Sequence, residues 1–274
     1  MAPRRIRFWY PKGSLPRHYV RGDLIMSHVV AMLSGMFPEG EEFFIRSVQH
    51  FSNQVIDTTL KEQVRGFIGQ EKTHGREHRQ LNERLQQMGY PTRFANRTVR
   101  RDLNFGSRRY PPRYALAVTA AMEHYTAVLA ETLLTNEEAQ DLLGDGEVRS
   151  MLLWHALEES EHRAVAFDVY KMVGGTERMR IWAMRITTLV LLVATIFMTL
   201  VSLSKDRQAY NPIRLFKSLA ALRHSPFLSK RLTRRIRAYN RPGFHPNEFD
   251  NTELIDRWSA QLFGEHGQLA ANLH

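Results

Sequence analysis

Apolar positions recur at helical spacing in four separate stretches of the chain. Phe37, Glu41, Phe44, Val48, Phe51 and Val55 follow one another at intervals of four and three, which predicts a helix from about Pro38 to Val55. Phe67, Glu71, His74, His78 and Leu81 form one stripe of a second helix, from about Thr59 to Met88, ended by Gly89 and Pro91. Leu116, Ala120, Glu123, Ala127 and Ala130 mark a third, from about Pro112 to Leu134, with proline in its first turn. Leu152, His155, Glu159, His162 and Ala166 mark a fourth, from about Glu147 to Val173, stopped by Gly174 and Gly175. Between the third and fourth, Thr135 to Glu138 offers a cap for a short helix that Gly144-Asp145-Gly146 interrupts.

The remaining segments are of another kind. Residues 1–22 are rich in proline, arginine and aromatics and form an arm without the continuous apolar core of a secretory signal. Residues 90–112, rich in arginine and proline, are expected to connect helices rather than contribute to the core. Ile186 to Leu203 is a run of 18 uncharged residues, and residues 204–242 carry eleven Lys/Arg against one acid, Asp206. A short helix is expected near 251–263, and His245, between Phe244 and Pro246, reads as a turn residue. The organisation is therefore an arm (1–22), a four-helix bundle (23–180), and a hydrophobic helix with a basic extension (181–274).

The apolar stripes contain ionisable residues at their centres, and burying a charge without compensation is costly. One such residue is ordinarily hydrogen-bonded within a core. Four helices doing the same thing need a shared reason, and a metal ion supplies one by neutralising several carboxylates together. Glu71/His74 and Glu159/His162 are both Glu-x-x-His pairs, and residues i and i+3 share one helix face. One Glu from each of two helices with Glu-x-x-His from the other two is the ligand pattern of dinuclear carboxylate bundles. The intervals agree: 30 residues from Glu41 to Glu71 and 36 from Glu123 to Glu159 suit antiparallel pairs, and 52 from Glu71 to Glu123 suits one long crossover.

Helical phase selects Glu41 over Glu42, Glu123 over His124 and Glu159 over Glu158. His124 and Glu158 are then expected in solvent or around the ligands rather than among them. His78 and His155 lie on the ligand stripes and read either as additional ligands or as groups that orient them. Tyr125 and Trp154 are placed to shape a pocket or gate electrons, and Tyr125 to stand as an extra ligand or around the ligands, although aromatics at helical spacing also serve simply as core.

The segments around Glu41, Phe67 to His78, Ala120 to Thr126 and Trp154 to Asp168 resemble the bacterial "predicted metal-dependent hydrolase" family, itself similar to ferritin-like di-iron proteins. The resemblance covers most of the chain. It implies an all-α, ferritin-like four-helix bundle with a C-terminal helical extension, and metal-ligand roles for Glu41, Glu71, His74, Glu123, Glu159 and His162.

Composition narrows the chemistry. The chain has no cysteine, which excludes disulfides, thiolate nucleophiles and Fe–S clusters, and leaves carboxylate and imidazole as metal ligands. Such a set suits two irons, or manganese with iron. The leading expectation is an O2-activating di-iron oxygenase or oxidase acting on a small or lipid-like substrate and served by an electron donor. The alternatives are hydrolysis by a hydroxide that two metals generate, and a non-catalytic metal-binding or iron-storage bundle.

The net charge of +10 calls for an acidic partner or simply maintains solubility. No recognised nucleic-acid motif accompanies the arginines, so nucleic acid is not the expected partner. The apolar run has positive residues on both flanks and reads as a transmembrane span, a fifth buried helix or dimer-interface helix, or a monotopic anchor beside a basic, headgroup-binding region. The expected location is the cytoplasm, or the inner face of the membrane in the anchored case.

Overall fold

The computed structural model describes residues 3–144 and 146–274; Met1 and Ala2 of the arm and Asp145 of the Gly-Asp-Gly break lie outside the described residues. The fold is all-α. The long helices are α1 (Leu24–Gln49), α2 (Thr58–Gln87), α3 (Thr92–Arg109), α4 (Pro112–Thr135), α6 (Glu147–His162) and α8 (Glu177–Leu203). Shorter ones are α5 (Glu137–Leu142), α7 (Val165–Met172), α9 (Pro212–Arg223), α10 (Lys230–Ala238) and α11 (Thr252–Phe263). Helix α1 pairs with α2, and α4 pairs with α6 and α7; these elements surround one interior, while α3 packs on α1 and α8 lies across α4 and α1.

Three boundaries differ from the sequence reading. Helix α1 begins at Leu24, not Pro38, and runs through the proline. Asp23 caps it, its Oδ1 accepting from the Met26 amide at 2.8 Å. A mid-helix proline leaves the carbonyl four residues earlier without its backbone donor. Here that carbonyl is Ser34 O, and Asn82 Nδ2 donates to it at 2.8 Å, so the defect is filled from α2.

The arginine-rich connection is itself a helix, α3. It buries Ala95 against Gly35 of α1, where a Cβ on the glycine would stand 3.0 Å from Ala95 Cβ. The segment contributes to the core through that face despite its charge. The fourth predicted helix is two: α6 ends on His162 and α7 starts at Val165. Beside the break, the Ser160 carbonyl accepts from Asn251 Nδ2 at 3.1 Å.

Two apolar clusters fill the interior. One contains Met32, Leu81, Leu85, Leu133 and Trp154; the other contains Phe44, Phe67, Leu116, Ala120 and Phe167. On α1 and α2 the ionisable residues fall between the two clusters, Glu41 between Met32 and Phe43 and Glu71 to His78 between Phe67 and Leu81, whereas Glu123 and His155 are each flanked by residues of one cluster. The arm closes the first cluster by burying Ile6 and Phe8, with the Phe8 amide donating to Glu77 Oε2 at 3.0 Å.

Helix α8 is neither a fully buried fifth helix nor detached from the bundle. Only 28 % of its most apolar 18 residues is buried. Arg180, Ala183, Met184, Thr187, Met198 and Ser202 face inward. Arg180 is completely buried and pins the extension to the bundle. Its guanidinium donates to the Tyr239 carbonyl and, at 2.9 Å, to the Arg241 carbonyl, pairs with Glu177 at 2.7 Å, and lies over the Tyr239 ring. His245 is a capping turn residue, its Nδ1 accepting from the Asn247 amide.

Arg180→Ala leaves the buried Tyr239 carbonyl and the part-buried Arg241 carbonyl without their donor and opens a cavity beside Tyr239. A loss of about 3 kcal/mol is expected, read as a fall of roughly 6–12 °C in the thermal midpoint. An unchanged midpoint would show that the extension does not depend on this anchor.

Candidate metal centre

The helical phase carries Glu41, Glu71, His74, Glu123, Glu159 and His162 to the same buried layer, every one of them at most 3 % exposed. Glu71, His74, Glu159 and His162 each offer a donor atom within one 4.8 Å group. Glu41 joins a second such group with His78 and His155. The groups meet at Glu159, whose Oε1 lies 3.5 Å from His74 Nδ1 and 2.8 Å from His155 Nε2. Glu123 lies outside both groups and contacts His162 Nδ1 through Oε2 at 2.9 Å, leaving Oε1 without a hydrogen bond. His162 Nε2 stands 3.2 Å from Glu71 Oε1.

Hydrogen-bond bookkeeping fixes which nitrogens face the interior. The Glu158 carboxylate can only accept, so His74 donates from Nε2 at 3.0 Å. His74 Nδ1 then faces Glu71 Oε1 and Glu159 Oε1, each 3.5 Å away. Two carboxylate oxygens converging on an imidazole nitrogen form an arrangement that takes up a cation, a proton or a metal ion.

A parallel chain sets His155. The Ser34 hydroxyl donates to Asn82 Oδ1 at 2.8 Å, so it accepts from His78 Nδ1 at 2.9 Å. His78 Nε2 meets His155 Nδ1 at 2.9 Å. His155 thereby turns Nε2 toward the centre, 2.8 Å from Glu159 Oε1 and 4.0 Å from Glu41 Oε1. His78 has both ring nitrogens engaged and positions His155; it has no lone pair left to offer. Phe37 stacks on the His78 ring at 4.5 Å between centroids, holding its plane.

The remaining expected residues separate cleanly. Glu158 orients His74 and also accepts from Arg4 at 3.1 Å. His124 is turned away from the centre, its Nε2 donating to the Arg235 carbonyl at 3.0 Å beside Tyr239 and Phe244. Tyr125 donates to Thr188 Oγ1 on α8 at 2.6 Å. Trp154 packs edge-on to His74 at 5.0 Å.

Sequence reasoning missed Arg4, Glu161 and Gln70, which join the arm to the ligand helices: Arg4 binds Glu158 and Glu161, and Gln70 donates to Glu161 at 2.6 Å. It also missed Gly75, where a Cβ would stand 3.0 Å from Glu41 Oε2. The sequence signal was present in the glycine directly after His74.

Electrostatics show the imbalance. Burial, followed by the neighbouring carboxylates, raises Glu41 and Glu123 well above the usual carboxylate range. Burial raises Glu71 to about 7, against the hydrogen bond to His74. Burial also opposes ionisation of Glu159, but His162, His155 and His74 outweigh it and hold that carboxyl well below its usual value. His74 is raised although burial lowers it, because Glu158, Glu159 and Glu71 favour its charged form. Burial and neighbouring histidines lower His78, and lower His155 to about 4. The layer therefore holds more carboxylates than its histidines can neutralise.

That imbalance leaves acceptors unused. Both oxygens of Glu41 and of Glu71, Glu123 Oε1, Glu159 Oε2, His74 Nδ1 and His162 Nε2 are buried without a hydrogen bond. Buried polar atoms are rarely left so, and this donor set of oxygen and imidazole nitrogen fits divalent first-row metals. The other His/Asp group, His18, His28 and Asp206, differs: His18 Nδ1 faces Arg214, His28 Nδ1 faces Ser202, and Arg17 binds Asp206. Its donor atoms are already engaged, so it is an anchor for the arm.

The sign of the pH dependence follows. A carboxyl raised in the folded state contributes stability that is complete below its usual value of 4.5 and is lost as pH rises through its folded value. Glu71, Glu41, Glu123 and the raised His74 all act in this sense. The lowered His78, His155 and Glu159 act oppositely, and their contributions are already complete above 6.5. The metal-free protein should lose several degrees of thermal midpoint between about pH 6.5 and about pH 8.5. Mn(II) at 100 times its Kd should add about 2.7 kcal/mol. A midpoint that is flat with pH and indifferent to Mn(II) would contradict this electrostatic reading.

Searches among curated proteins and among solved structures find no match to the chain. The family described as "predicted metal-dependent hydrolase" matches residues 2–250. That match spans the arm, all the candidate donors and the extension as far as Asp250, and the chain belongs to the predicted metal-dependent hydrolase family.

Proposed function

We propose that the chain is a metal-dependent enzyme whose centre holds two divalent ions, with Glu41, Glu71, His74, Glu123, Glu159 and His162 as the principal ligand set and His155 as a further ligand. The observation that carries this reading is the layer of buried carboxylate and imidazole atoms without hydrogen bonds, enclosed between two apolar clusters.

Hydrolysis is the first reaction the family membership supports. When bound, two metal ions supply Lewis acidity and lower the pKa of water, so that a nucleophile is available at neutral pH. The chain's own residues prepare that chemistry. Glu158 holds His74 through Nε2 and leaves Nδ1 facing the centre, while His78, Ser34 and Asn82 hold His155 through Nδ1 and leave Nε2 facing the centre. Arg4 and Gln70 hold the acids beside the Glu-x-x-His pair of α6, and Trp154 and Phe67 close apolar walls on His74 and His162. Water is excluded on those sides.

A second reading, O2 activation by a ferritin-like di-iron centre, is favoured by one specific observation. Single glutamates come from α1 and α4, and Glu-x-x-His pairs come from α2 and α6, the disposition described for di-iron and di-manganese carboxylate bundles. In that reading bound iron supplies redox chemistry toward O2, and an electron donor and an organic substrate complete the reaction.

The experiment compares metal forms. Protein loaded with Mn(II) or Zn(II) is assayed anaerobically on activated carboxyl and phosphate esters, and protein loaded with Fe(II) is assayed for O2 uptake with a chemical reductant. Hydrolysis without O2 identifies the first reading; stoichiometric O2 uptake by the iron form, absent from the zinc form, identifies the second. Glu71→Ala and His162→Ala should each lower bound metal by at least about tenfold and abolish either activity. Near-stoichiometric metal in both variants would overturn the assignment of the centre.

A further inference from the structure

We infer that the outward face of α8, with α9 beside its C-terminal end, is a docking surface for an anionic lipid bilayer on which the protein lies without crossing. Leu189, Val193, Phe197 and Leu200 of α8 are each more than half exposed, on a helix whose other face packs against α1 and α4. The exposed apolar positions of α8 run from Trp182 to Leu200, about 27 Å of helix at 1.5 Å per residue. The next helix repeats the pattern. Ile213 and Phe216 of α9 are 79 % and 73 % exposed, whereas Ser218 is buried and binds the Ile25 amide and Asp23 of α1. Leu203, Leu24 and Ile25 join Leu222 of α9 in one small cluster, so the two helices are held in fixed relation. On the flank, Phe94 of α3 meets Phe197.

Charge selects the occupant. Residues 93–109 carry six Lys/Arg against one acid, and residues 178–241 carry fourteen against one. These segments are net +18, which leaves −8 on the rest of a chain whose total is +10. Arg180, Arg235 and Arg241 of this set pair with Glu177, Glu131 and Glu248, and Arg100 with Glu39; the other cations accompany the exposed apolar helices. A second copy would bring the same charge against the same charge, whereas an anionic bilayer satisfies the apolar face and the basic segments together.

Crossing the bilayer is disfavoured by the inner face of α8. Arg180 is buried there on two backbone carbonyls, and Thr187 receives no lipid contact because it is buried against the bundle. Removing α8 from the bundle would expose those groups to hydrocarbon, where an unsatisfied polar group costs several kcal/mol. The helix lies in the interface with its apolar side outward.

The test is flotation of the full, metal-loaded chain with phosphatidylcholine vesicles and with vesicles of three parts phosphatidylcholine to one part phosphatidylglycerol, at two salt concentrations. Binding to the anionic vesicles, weakened by salt, is expected. The triple variant Leu189→Ser/Val193→Ser/Phe197→Ser and the triple variant Lys205→Gln/Lys217→Gln/Arg223→Gln should each lower partitioning by at least about tenfold. Both alter exposed positions, and an unchanged circular dichroism melt confirms that the variants fold. Absence of binding to anionic vesicles would overturn the inference, as would undiminished binding by both variants. A homodimer in sedimentation equilibrium that the serine variant converts to monomer, without vesicle binding by the parent, would assign the surface to a second copy instead.

Discussion

The interior of this bundle is organised around carboxylates that its own histidines cannot neutralise. Glu41, Glu71, Glu123 and Glu159 share one buried layer, and most of their oxygens have no protein donor. In a medium of low effective dielectric such a layer is strongly destabilising unless protons or cations enter it. Glu159 gathers the positive influence of three histidines, which leaves Glu71, Glu41 and Glu123 to take up protons or a cation. The two apolar clusters above and below make the layer costly and at the same time hold its geometry. Belonging to a metal-dependent family is the chemical counterpart of that constraint.

Local sequence choices lead into the same layer. Pro38 removes one backbone donor from α1, and the freed Ser34 carbonyl recruits Asn82 of α2. Asn82 also binds the Ser34 hydroxyl, which binds His78, which binds His155. A helix defect three residues before Glu41 is thus joined by hydrogen bonds to a histidine on α6 that faces the centre. Glu158 does the same for His74 in one step, and Arg4 on the arm holds Glu158 in turn. The candidate ligands are oriented by residues whose own chemistry at the centre is indirect.

Much of this was legible in the sequence because a buried face repeats with the helical period. The stripe containing Glu71, His74 and His78 and the one containing Glu159 and His162 both lie where phase put them. Phase also separated His124 from Glu123, and the structure turns His124 toward the Arg235 carbonyl. What phase does not encode is long-range partnering. The start of α1 was hidden because a proline inside a helix reads as a boundary until its orphaned carbonyl finds a partner on another helix. Helix α3 was hidden because arginines dominate its composition and its buried face is narrow. The break after His162 is met by Asn251, ninety-one positions beyond the Ser160 whose carbonyl it binds, which no local pattern announces.

The central claim is that His74 and His155 direct specified nitrogens at bound metal. Anomalous diffraction from crystals of the metal-loaded protein, collected at the edge of the loaded metal, tests it most directly. The account predicts density at bonding distance from His74 Nδ1 and His155 Nε2, with Glu158 still on His74 Nε2 and His78 still on His155 Nδ1. Metal on the opposite nitrogens, or no anomalous peak in the carboxylate layer, would contradict it.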